Sequence, residues 1–244
     1  MDKRNPPPRP YRFPFAVVLH HIQVKSTPET ETMFAGKSRI SFAMLLAVGL
    51  LFVPILEASG GMDNSTFLYF SYGSNLLKER LQLRNPSATV HCIARLKDYK
   101  LAFGNHKGLA SDRWHGGVAT IEHSLEDEVW GVVWRMNISD LESLDRQEGV
   151  KLGAYSPAEV SVWTRGQELD CRTYIMNSCV YAPPSPQYLK VIVMGAEQNG
   201  LPKDYQEKLR SIETNKYEGP LSVMTEIERA MKRSKERANH RSDA

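Results

Sequence analysis

The sequence predicts an α+β fold, a mostly antiparallel, barrel-like sheet with flanking helices. Three observations carry that expectation. Segments rich in β-branched and aromatic residues dominate the middle of the chain; helical patterns bounded by proline and glycine gather after Ser185; and nearly every position from Val129 to Met136 is apolar, as in a strand covered on both faces.

The elements follow in order. Thr66–Ser71 (TFLYFS) is a strand by its aromatic content, and the next turn passes into a helix carrying Leu76, Leu77, Leu81 and Leu83, with Ser74 or Asn75 as its cap and Asn85-Pro86 as its stop. VHCIARLKDYKLAFGN, from Val90, predicts one or two strands, and WHGGVATI and EVWGVVWRM predict two more. Ser139-Asp-Leu-Glu142 has the spacing of a capping box and opens a short helix that runs out near Gly149. Two strands, YSPAEVSVWT and ELDCRTYIM, are joined at Arg165-Gly166-Gln167. Ser185-Pro186 starts a helix that Gly200 ends, and a second runs from Pro202 through Leu209. Residues 223–244 are densely charged and predict a tail that frays into solvent.

Residues 1–61 differ from this body, which spans 62–222. Residues 1–39 open with NPPPRPYRFPF and read as an irregular basic leader; 40–61 hold the uncharged run Ile40–Leu56, which suits a signal or anchor, or else the working protein starts at Met62. The first 61 residues contain seven Lys/Arg against four acids, which leaves 24 of each sign from Met62 onward. A neutral body gives no electrostatic footprint for nucleic acid. The three cysteines and seven histidines show no metal-ligand spacing, so no metal is expected, and an odd cysteine count favours a reducing compartment.

Few residues offer chemistry. Amides at the Tyr72-Gly73-Ser74 corner open a helix and can hold a carboxylate or an oxyanion. Glu148, just before Gly149 at a helix-to-strand connection, reads either as a general acid/base or as a solvated helix end. Tyr188 is delivered by the Pro-rich bend YAPPSPQY to a first helical turn, as core packing or with its hydroxyl in a pocket. His115 in WHGG has no nucleophile motif to partner and reads as structural, and Cys92 reads as a buried thiol.

Taken in order, YGSNL, RNPSA, WHGGVATI, DEVWGVVW, LDRQEGV, APPSPQY and MGAEQNGLP resemble the γ-glutamylcyclotransferases of the vertebrate cytosolic type, over roughly Thr66 to Tyr217. The resemblance implies a cytoplasmic homodimer with no cofactor, acting on a small γ-glutamyl amino acid or dipeptide. It implies Glu148 as catalytic carboxylate, and Tyr69, Phe70, Ser71, Tyr72, Gly73, Ser74 and Tyr188 as substrate-binding residues. The reaction would release 5-oxoproline by attack of the substrate's own α-amine. Relatives in the superfamily act on γ-glutamyl-ε-lysine or glutathione, and a membrane-tethered binding module, anchored through Ile40–Leu56, is the non-enzymatic alternative. Two positions depart from the family pattern: Ser71 where alanine is usual, and Arg146 where an acid is usual.

Overall fold

The computed structural model describes residues 65–242. The expectations for the leader and for Ile40–Leu56 fall outside them. Six strands and five helices follow in chain order: β1 (Thr66–Ser71), α1 (Lys78–Gln82), β2 (Thr89–His106), β3 (Val118–Asn137), α2 (Leu141–Gln147), β4 (Tyr155–Thr164), β5 (Gln167–Met176), β6 (Cys179–Tyr181), α3 (Pro186–Gln198), α4 (Lys203–Arg210) and α5 (Ser222–Ser242).

The sheet runs β3-β1-β5-β4-β2-β6, and a further β3–β2 pairing closes five of these strands into a barrel. Only the short β1–β5 contact, Tyr69 opposite Arg172, is parallel. Closure leaves few free edges and buries a continuous core in which Phe70, Ile121, Val132, Trp134 and Val162 are almost wholly enclosed. The α+β, barrel-like expectation is met.

Local readings differ from it in four places. The VATI of WHGGVATI and the whole of EVWGVVWRM lie on one strand, β3, which starts at Val118, because the polar stretch between them is an irregularity within the strand. There Lys97 pairs with Glu128 and Tyr99 with His123, and Asp98 and Glu126 both take positive φ (60° and 68°). The Glu126 amide donates to Asp98 Oδ1 at 3.2 Å, so backbone polarity is satisfied while the hairpin bends.

The capping box at Ser139 does not form. A 3₁₀ turn over Ile138–Asp140 precedes α2, no side chain caps it, and Asp140 Oδ2 instead accepts from the Ser87 amide (3.1 Å) and hydroxyl (2.6 Å).

Neither Ser74 nor Asn75 caps a helix through its side chain. The corner becomes a 3₁₀ turn, Ser74–Leu76, ahead of the five-residue α1.

The charged tail is helical to Ser242 rather than frayed, because Leu221, Val223 and Ile227 bury one face of its first turns. The turn between β4 and β5 is as expected: Arg165 and Gly166 both have positive φ (42° and 84°), the signature of a two-residue hairpin.

Candidate active site

β1 ends at Ser71 against Val132 of β3, and the chain then turns through Tyr72-Gly73 into the Ser74–Leu76 turn. α3 lies directly on that turn. A Cβ on Gly195 would stand 2.4 Å from the Leu77 nitrogen and 2.5 Å from the Leu76 carbonyl carbon, so only glycine lets the two backbones touch. The same helix supplies Tyr188. Ser185 caps α3 by accepting from the Tyr188 amide at 3.2 Å, with Pro186 in the first helical position. The Tyr188 hydroxyl oxygen in turn accepts from the Ala119 amide of β3 at 3.0 Å.

Opposite the corner, α2 ends at Glu148, and Gly149 takes the left-handed conformation (φ 67°) that turns the chain away and leaves the carboxylate facing inward. Asn75 Nδ2 donates to Glu148 Oε1 at 3.0 Å and to the Tyr69 hydroxyl oxygen at 3.0 Å; Gln147 Nε2 donates to the same Oε1 at 3.2 Å. Tyr155 from β4 donates to the Ala119 carbonyl at 2.7 Å, and the Tyr72 hydroxyl donates to the Tyr174 carbonyl. The hydroxyls of Tyr69 and Tyr188 both accept from N–H groups, so each keeps its own proton to give elsewhere.

These groups meet in one cleft. Tyr69, Tyr72, Gly73, Ser74, Glu148 and Tyr188 line it, together with Asn75, Ala119, Tyr155 and Tyr174. It is small, with a cavity volume of about 40 Å³, well below the ~300–1,000 Å³ typical of ligand sites. Phe70 and Ser71 do not reach it: Phe70 is wholly buried in the core, and the Ser71 hydroxyl accepts from the Trp134 indole at 2.8 Å and faces the carbonyls of Asn75 and Val132. His115 lies elsewhere, stacked on Tyr217. Sequence reasoning missed Asn75, which looked like a helix cap, and Tyr155 and Tyr174, which carried no local signal.

Burial raises the pKa of Glu148 above the ordinary carboxyl value. The Arg80 guanidinium and then the amides of Gln147 and Asn75 oppose that rise, and Asp145 adds slightly to it. Burial, with the charge of Glu148, lifts Tyr69 and Tyr72 well above 10.0, and it pushes Tyr188 up to about 12, so these phenols stay protonated near neutrality.

Residues 128–209 match the model of the AIG2-like family. The chain is 61% identical over 167 residues to mouse γ-glutamylcyclotransferase, covering 89% of that protein, and 59% identical over 174 residues to the human protein of that name, covering 92% of it. The chain belongs to the γ-glutamylcyclotransferase family. A solved γ-glutamyl cyclotransferase structure, 58% identical, matches with a TM-score of 0.65 over 67% of this chain and 99% of that one. The barrel described above is therefore the barrel of the family. No helix of the described residues is long and apolar enough to cross a membrane.

Proposed function

We propose that the chain converts γ-glutamyl amino acids to 5-oxoproline and the free amino acid, with Glu148 as the proton-transfer group. The carrying observation is a carboxylate of raised pKa at the inner wall of a small, tyrosine-lined cleft, in a chain about 60% identical to γ-glutamylcyclotransferases over about nine-tenths of their length. Such a base suits a substrate whose α-ammonium must lose a proton before its nitrogen can attack.

The atoms balance with Glu148 as the sole shuttle. The carboxylate takes one proton from the α-ammonium, and the freed amine attacks the γ-carbonyl carbon to form the ring C–N bond and an oxyanion. Glu148 gives that proton to the departing nitrogen and takes the second from the ring nitrogen, and the C–N bond to the leaving amino acid breaks. The leaving amine collects the second proton, which restores the carboxylate. The amides of Gly73 and Ser74, and the spare protons of Tyr69 and Tyr188, are suited to the oxyanion or the substrate carboxylate. Ring closure is intramolecular, so holding the folded conformer is a large part of the task.

Glu148→Gln keeps size and hydrogen bonding but cannot accept the proton. Release of 5-oxoproline from a γ-glutamyl dipeptide should fall at least ~100-fold; a rate within a few-fold of the parent would remove Glu148 from this role. The working form in this proposal is a cytosolic homodimer. The unpaired Cys92, Cys171 and Cys179 fit a reducing compartment. Sedimentation equilibrium and mass spectrometry of the native N-terminus test it: a monomer at micromolar concentration, or peptides from residues 1–39 in a membrane fraction, would overturn it.

A further inference from the structure

The hydrogen bonds around Glu148 are all made to one of its two oxygens. Asn75 and Gln147 both donate to Oε1, and no donor is recorded for Oε2 among the described residues. The direction of these bonds is fixed from the outside inward. Arg80 is buried on α1 and can only donate; its Nη1 lies 3.3 Å from Gln147 Oε1, and Asn85 Nδ2 approaches the same oxygen at 3.4 Å. Gln147 must therefore present its carbonyl to Arg80 and its amide nitrogen to the site. That nitrogen also donates to Asn75 Oδ1 at 3.0 Å, which turns the Asn75 nitrogen towards Glu148 and Tyr69. One donor-only cation thus orients two amides.

We propose that Gln147 is a positioning residue which, with Asn75, holds Glu148 Oε1 as a permanent acceptor, so that Oε2 is the oxygen that carries both protons of the reaction. A protonated Oε1 would point its hydrogen at two N–H groups, whereas Oε2 can gain and lose a proton without breaking the clamp. This assignment rests on Glu148 being the proton-transfer group. Gln147 is not among the residues lining the cleft, so it acts through Glu148 and not on substrate.

The test is the pH dependence of 5-oxoproline release by Gln147→Met. The charged groups around Glu148 are Arg80 from α1 and Asp145 from α2; the phenols are Tyr69 and Tyr72 at β1, Tyr155 of β4, Tyr174 of β5 and Tyr188 of α3. None is altered in the variant. Loss of one N–H donor to the carboxylate should move the acid limb of kcat/KM to higher pH by about one unit and lower kcat about tenfold, with KM within about twofold.

Asn75→Ala removes the other donor and should move the limb the same way, so the question stays answerable if Gln147→Met does not fold. An unmoved acid limb in the folded variants overturns the clamp, even where kcat or thermal stability falls. Full activity in Glu148→Gln overturns the parent reading instead, and the two failures are distinguishable because only the second leaves the reaction without its base.

Discussion

Ser71 and Arg146, the two positions the sequence resemblance singled out beside the proposed chemistry, both prove remote from it for different reasons. Arg146 is on the outer face of α2, with its side chain 73% exposed and paired at 3.1 Å with Glu142, so its charge is largely screened from Glu148. Ser71 is fully buried, yet its hydroxyl points at the Trp134 indole and at backbone carbonyls rather than into the cleft. Replacing it by alanine leaves the indole N–H of a wholly buried tryptophan without that acceptor. Ser71→Ala should therefore lose about 1 kcal/mol in urea unfolding while KM stays within about twofold; a change in KM with unchanged stability would return Ser71 to the substrate site. Glu148 and Tyr188 were legible as chemistry-bearing types at exposed-looking junctions. Asn75 was not, because an asparagine after a strand-to-helix turn has the sequence signature of a cap. Its amide instead turns to the Tyr69 hydroxyl and, through the approach of α2, to Glu148, 73 residues later.

Elements with their own punctuation were legible: Ser185-Pro186 at the start of α3 and Arg165-Gly166 between β4 and β5 specify their conformations locally. The long β2–β3 hairpin was not, since the polar residues around Ser124–Asp127 look like a loop and are held in the strand only by the partner across the sheet, Asp98 to the Glu126 amide. The first turns of α5 were hidden likewise: their composition is that of a solvated tail, and burial of Val223 and Ile227 overrides it. The α3-to-corner contact is another pairing no local pattern announces, and it is where an element directly positions the site. Gly195→Ala would thrust a methyl group against the backbone of Leu76 and Leu77, which cannot swing aside as a flexible side chain could. α3 must then lift, carrying Tyr188 away from Ala119. Destabilisation of about 2 kcal/mol, together with a raised KM, is the expected outcome; a stable variant with normal KM would show that α3 does not fix the corner.

For the whole molecule, the buried carboxylate ties stability to pH and, in its proposed role, would tie it to activity. Glu148 has a folded pKa above its ordinary value of 4.5, so between those two values the folded chain binds more protons than the unfolded one. Stability then falls as pH rises through that window, because the unfolded-state protons bound are the fewer. The destabilisation is absent below the ordinary carboxyl value, where both states are protonated, and constant above the folded pKa. If Glu148 acts as proposed, release of 5-oxoproline should rise over the same window, since the carboxylate that destabilises the barrel is the form that would accept the α-ammonium proton. Glu148→Gln is neutral throughout and retains the other titrating groups, whose effects largely cancel in a comparison. Urea midpoints measured from about pH 4 to about pH 8 should diverge, the variant gaining on the parent as pH rises and then holding a constant lead. Removal of the charge also takes from Arg80 the carboxylate that most favours its charged form, which offsets part of that gain without reversing it, since the net shift of Glu148 is upward. Parallel curves across the range would mean that the carboxylate sits in the folded state at no cost, and the burial argument for its basicity would fail with them.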